Sequence, residues 1–233
     1  MSRRALLASL CSLPLLSCQS GETASVRYRV ILSADIDGKP VEASTVMEVR
    51  YSRVTHSLIG AGGATRLYGE ALIFDLGGKG TVYILPVEHP PHASLDQVYE
   101  YAILSTFGIE NSFGGLSDAD FNVLRTASGR RPFNLRKTSR LPAFVAFTDE
   151  TNPKSIYEID PWKLSERFPG VRFTGLDIEI TNEPTTTKLR DRLPWLNTPK
   201  QVFDRDPPGK LTPESRLPIG YLLTRADFFG DGS

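Results

Sequence analysis

Residues 26–52, VRYRVILSADIDGKPVEASTVMEVRYS, alternate apolar and polar side chains on both sides of Asp37-Gly38. Val26, Tyr28, Val30 and Leu32 fall on one face of a strand. Met47, Val49 and Tyr51 repeat the pattern against Glu48 and Arg50. Successive side chains of a strand point to opposite faces, so a period of two over this length specifies sheet and excludes an amphipathic helix. Asp-Gly suits the positive backbone angles of a tight hairpin turn. The same Asp35–Lys39 stretch begins like a calcium loop but lacks the later acidic ligands, so its expected role is the turn.

A second hairpin is expected in RLYGEALIFDLGGKGTVYILPV. Leu72, Ile73, Phe74 and Leu76, and then Val82, Tyr83, Ile84 and Leu85, are apolar on both faces, as in strands central to a sheet. Gly77-Gly78-Lys79-Gly80 makes the turn; neither it nor Gly60–Gly63 has the spacing of a phosphate loop. Ser94 and Gln97 form a capping-box pattern ahead of a helical stripe of Leu95, Val98, Tyr99, Ala102, Ile103 and Phe107. Ser117, Asp118 and Asp120 open a shorter helix reaching about Ala127, with Phe121 and Leu124 facing inward. LPAFVAFTD is a buried strand, and Pro161 starts a helical turn that stops at Pro169-Gly170. In VRFTGLDIEIT the apolar parity changes between Phe173 and Leu176, which predicts a β-bulge at Thr174-Gly175.

The N-terminus constrains location. Arg3 and Arg4 precede an apolar run, Ala5–Leu16. A membrane-spanning helix needs roughly 20 apolar residues, so this run reads as a signal peptide. Leu15-Leu16-Ser17-Cys18 resembles a bacterial lipobox, in which the cysteine thiol receives lipid and becomes the new N-terminus. Leu16 is bulkier than the residue usual there, and Leu10 before Cys11 disqualifies the other cysteine. The expected organisation is a signal peptide over 1–17, a flexible tether over 18–25, one domain over 26–196 and a proline-rich C-terminal tail over 197–233. Gln19, which is not Asp, favours the outer membrane, facing the periplasm. Trp195, in RLPWL, is expected to close the domain, with the chain beyond Thr198 mostly mobile, although IGYLL near its end could dock on the body.

The 233 residues carry 27 basic and 27 acidic side chains; residues 1–17 hold two arginines and no acid, which leaves a balance of −2 after processing. That balance gives no reason to expect nucleic acid as a partner. Both cysteines lie at or before residue 18, so no disulfide is expected.

The stretch from LPAFVAFTDETNPKSIYEIDPWKLSERFPGV to ITNEPTTTKLRDRLPWL resembles a family of small proteobacterial lipoproteins, and YGEALIFDLGGKGTVYIL resembles the matching hairpin. The resemblance runs from about Val26 to Leu196. It implies location and a single fold and transfers no catalytic residue.

Four groups are candidate sites. His89-Pro90-Pro91-His92 beside Glu88 offers two imidazoles, held apart by the prolines and short of the three or four ligands of a zinc site. Arg130, Arg131, Arg136, Lys137 and Arg140, with Phe133, form the densest basic cluster and are read as a solvated loop, with anionic headgroups as the functional alternative. Asp149, Glu150, Glu158 and Asp160 are the densest acids; Pro153 and Pro161 point to turn and cap roles, and paired carboxylates to hydrolysis. Cys18 is the lipidation site. No catalytic, metal or cofactor-binding residue is specified.

The expected fold is α+β: a single domain of mainly antiparallel sheet, about six to eight strands, with one or two packing helices. The expected role is a lipid-anchored envelope lipoprotein acting as a non-enzymatic binding or structural module, with the membrane and an envelope protein as partners. The alternatives are a hydrolase using carboxylates near Asp149 and Asp160, and a carrier of a small apolar ligand.

Overall fold

A computed structural model describes residues 22–54, 62–88, 98–109, 116–133, 141–198, 202–203, 218–230 and 232. The fold is α+β and mainly antiparallel sheet. Among the described residues there are nine strands in two sheets, where about six to eight were expected. They are β1 (Glu22–Ile36), β2 (Lys39–Val54), β3 (Gly62–Tyr68), β4 (Leu72–Asp75), β5 (Thr81–Glu88), β6 (Arg130–Pro132), β7 (Pro142–Phe147), β8 (Ile156–Ile159) and β9 (Val171–Ile180). Five short α-helices accompany them among the described residues: α1 (Val98–Thr106), α2 (Asp118–Thr126), α3 (Leu164–Arg167), α4 (Leu189–Arg192) and α5 (Ile219–Leu222).

The first sheet has the order β3-β2-β1-β9-β6, and the second β4-β5-β7-β8. The long hairpin turns where expected: Asp37 and Gly38 both have positive φ, 52° and 83°, and the Gly38 N–H donates to Asp35 Oδ1 at 2.8 Å. Alternation then decides the faces. Val26, Tyr28, Val30, Leu32, Met47, Val49 and Tyr51 are buried, while Arg27 and Arg50 face out. The bulge in β9 is present: Ser33 pairs with Gly175 and Ala34 with Phe173, so Thr174 is the extra residue. It keeps Val171, Phe173, Leu176 and Ile178 all buried.

The second sheet packs Leu72, Phe74, Val82, Ile84, Phe144 and Ala146 against that buried face, with Phe144 meeting Phe173 edge-on at 5.6 Å. The α1 residues Tyr99, Ala102 and Ile103 join the same core, as do Phe121 and Leu124 of α2. Ser117 caps α2 with the reciprocal capping box to Asp120.

Two expected boundaries change. The tether over 18–25 gives way at Glu22, where β1 begins, because β2 is long enough to pair Glu22 with Arg53 and so bury Ala24. The domain also does not end at residue 196. Tyr83, Leu85, Val145 and Phe147 project from the second sheet's other face, and they are covered by Leu189, Leu193, Trp195, Leu196, Phe203, Ile219, Leu223, Phe228 and Phe229. Trp195 is buried, as expected, among Phe147, Phe203 and Phe228 at 5.6–5.7 Å. The described part of the tail is thus a third layer rather than a free extension, because a strand apolar on both faces needs cover on both.

The chain then returns to the first sheet. Gly230 N–H donates to Gly69 O at 3.0 Å and Gly232 N–H to Leu67 O at 2.8 Å. The approach is so close that a Cβ at Gly230 would sit 2.3 Å from the Leu67 carbonyl oxygen. Gly230→Val should therefore force this clasp open and cost about 1–3 kcal/mol, as overpacking does. A urea-unfolding midpoint equal to that of the unmodified protein would contradict this.

Candidate functional site

The structure separates the acidic group read from the sequence. Asp149 is exposed in the β7–β8 turn, where its Oδ1 accepts from Thr151 Oγ1 at 2.7 Å and Thr151 N–H at 2.9 Å; these bonds hold its carboxyl below the usual range. Asp160 follows β8 at the other end of the hairpin and accepts the Trp162 N–H at 3.0 Å. The paired residues between these turns run from Phe147↔Ile156 to Phe144↔Ile159, about 10 Å of strand. Glu158 lies within β8 opposite Val145.

Glu150 is a structural clamp. It accepts Tyr83 Oη–H at 2.8 Å and faces Arg192 through both carboxylate oxygens at 2.9–3.0 Å, while its backbone carbonyl accepts Trp195 Nε1–H at 2.9 Å. One residue thereby ties the second sheet to the C-terminal layer. These four acids have turn, cap, strand and clamp positions and do not converge on one cleft.

Of the basic cluster, Arg130 and Arg131 belong to β6 and not to a solvated loop. Arg130 bridges Glu42 at 2.7 Å and Asp177 at 2.6 Å, and Arg131 lies over the Phe107 ring at 4.5 Å. Phe133 is buried. Arg136, Lys137 and Arg140 lie outside the described residues, as do His89, His92 and Cys18. Among the described residues, no group of three or more His, Cys, Asp or Glu is placed to hold a metal, and no helix is long and apolar enough to cross a membrane.

Three features were not singled out as sites from the sequence. The first is Trp162, 60% exposed, while Val123 at 37% is the other exposed large hydrophobic residue among those described. Its position is fixed from below. Pro161 is buried, Asp160 caps the turn, and the indole stands edge-on to Phe173 at 5.1 Å. The Asp-Pro-Trp sequence carried the signal for the turn; the exposure depends on how the turn meets Phe173 of β9 and was not legible.

The second is Glu70, 3% exposed, between β3 and β4. Its carboxylate accepts the backbone N–H of Lys188 and of Leu189, the latter at 3.0 Å. Two grooves of about 250 and 300 Å³, the first mainly polar and the second more apolar, share it together with Thr186, which bonds to Val46 of β2. Burial raises the Glu70 pKa and outweighs the two amide donors. A lone acid inside the apolar run YGEALIF was the available signal.

The third is the outer face of the first sheet, where Glu48 is almost covered. Burial opposes its ionisation, but hydrogen bonds from Arg27 at 2.7 Å, Arg50 and Ser25 at 2.9 Å outweigh that and lower its pKa to about 2. Arg50 also lies over the Tyr68 ring at 4.4 Å.

No family model, curated protein or solved structure matches this chain.

The Glu48 cluster has a pH consequence. A carboxylate whose folded pKa lies below its unfolded value stabilises the fold above the unfolded value and loses that share as pH falls. The contribution of Glu48 should be intact above pH 4.5 and vanish toward about pH 2. Glu48→Gln should cost about 1–3 kcal/mol at neutral pH and flatten this acid limb. Parallel urea titrations of the two proteins across that window would show it; identical slopes would contradict it.

Proposed function

We propose that this protein is a lipid-anchored lipoprotein of the bacterial envelope, attached through Cys18 to the outer membrane and facing the periplasm, that binds another envelope protein. The lipobox-like Leu15-Leu16-Ser17-Cys18 supports the anchor. The resemblance to small proteobacterial lipoproteins supports the same location.

The observation that carries the binding role is Trp162. Tryptophan is the residue most often found as the energetic anchor of a protein interface, especially where it is pre-positioned. Here the ring is exposed, yet it is held by Phe173, Pro161 and the Asp160 cap. Covering the rest of it would remove on the order of 100 Å² of apolar surface from water, about 2–3 kcal/mol. The dispersed positions of Asp149, Glu150, Glu158 and Asp160 give the hydrolase alternative no support.

Two measurements test the two halves separately. Cys18→Ala should abolish metabolic labelling by a fatty-acid analogue and leave an unprocessed or soluble chain; equal labelling would remove the anchor. Trp162→Ala should leave folding unchanged but weaken capture of an envelope protein from detergent-solubilised envelope by about thirtyfold, the loss of about 2 kcal/mol expected of an interface anchor. Undiminished capture would remove Trp162 from the interface.

A further inference from the structure

Three residues, Gln19, Ser20 and Gly21, separate Cys18 from the start of β1. Four Cα-to-Cα steps reach at most about 14 Å. The first residues of β1 are fastened. Glu22 and Thr23 pair with Arg53 and Ser52 of β2, and Ala24 is buried. The Glu22 carboxylate takes hydrogen bonds from Arg53 and from Arg125 of α2, the latter at 2.7 Å. Arg53 in turn holds the Leu116 carbonyl at 3.1 Å and Asp118, and both arginines lie over Phe121 at 5.3 and 5.6 Å. Peeling β1 away to lengthen the leash would break its pairing with β2, expose Ala24 and strip Glu22 from both arginines.

We propose, resting on the lipid-anchor reading, that the end of the molecule formed by the start of β1, the end of β2 and α2 sits against the lipid surface, with the opposite end standing into the aqueous compartment. β1 has 15 residues, so the two ends lie about 45 Å apart. The far end carries the Asp37-Gly38 turn. Phe173, on which Trp162 rests, pairs with Ala34 close to that turn. Trp162 is thus presented away from the membrane, to a partner arriving from solution.

The leash is what holds this end down. Two arginines, Arg53 and Arg125, face two carboxylates, Glu22 and Asp118, so the cluster is neutral. Arg130 and Arg131 pair with Glu179 and Ile178, which lie opposite Arg29 and Val30, about 25 Å along β1 from its start. They are engaged there with Glu42, Asp177 and Phe107.

In the mature protein Cys11 is gone and the Cys18 thiol is acylated, so one introduced cysteine takes one dye. Exposed Ala119 of α2 and exposed Lys39 beside the far turn are the sites. The acylated protein, its lipid confirmed by mass spectrometry, is placed in phosphatidylcholine vesicles bearing a headgroup energy acceptor. Transfer from Ala119→Cys should be efficient and transfer from Lys39→Cys several-fold lower. Added anionic lipid or salt should leave both unchanged. Equal transfer from the two sites would mean that the domain lies flat and would overturn the proposal; so would proximity that appears only with anionic lipid. Inserting about twelve Gly and Ser residues after Gly21 should erase the difference, since such a linker reaches roughly 20 Å on average and further when extended. A difference that survives the insertion counts against the leash. A purified chain with no acyl mass removes the anchor reading itself, which is a separate failure.

Discussion

β5 and β7 carry apolar side chains on both faces, and a two-layer sandwich covers only one of them. Val82, Ile84 and Phe144 meet the first sheet; Tyr83, Val145 and Phe147 point the other way. Both faces must leave water, because apolar area left exposed at this scale forfeits the main driving force for folding. The rest of the architecture follows from that requirement. The chain after β9 has to cross the second sheet, and its described residues do so with short helices and turns that contribute leucines, an isoleucine and large rings. Trp195, Phe203 and Phe228 pack against Phe147, and Phe203 and Phe228 stack nearly parallel at 5.9 Å. Glu150 locks this layer in place by using its side chain and its backbone carbonyl together.

The polar groups divide according to what they fasten. On the outer face of the first sheet, Glu48 is ionised by a hydroxyl and two guanidinium groups, so it belongs to the charged state of the protein. Glu70 sits deeper and has only amide donors, so burial pushes it toward its neutral form. One glutamate on β2 and another between β3 and β4 thus pull the acid–base behaviour of the fold in opposite directions. The difference comes from their neighbours and not from their residue type.

How far the sequence revealed this depends on the range of the interaction. The β1–β2 hairpin, the α2 cap at Ser117 and the bulge at Thr174 were legible because each rests on residues close in the chain. The two-sided burial of β5 was legible too, but not what would cover its second face. Prolines between 199 and 218 read as an unstructured tail, and proline does prevent regular elements. It does not prevent single rings from docking between turns, which is what Phe203 and Phe228 do. The acidic group misled for a related reason. Four carboxylates within twelve residues of sequence are dispersed by a hairpin, whereas Trp162, a lone exposed ring, depends on which sheet lies beneath it.

The glycine clasp at residues 230 and 232 joins a late stretch of the chain to Gly69 and Leu67, at the end of the third strand. β9 likewise reaches the centre of the first sheet only by pairing with β1. A nascent polypeptide with this wiring cannot close the clasp until residue 232 has left the ribosome, since these contacts join distant parts of the chain.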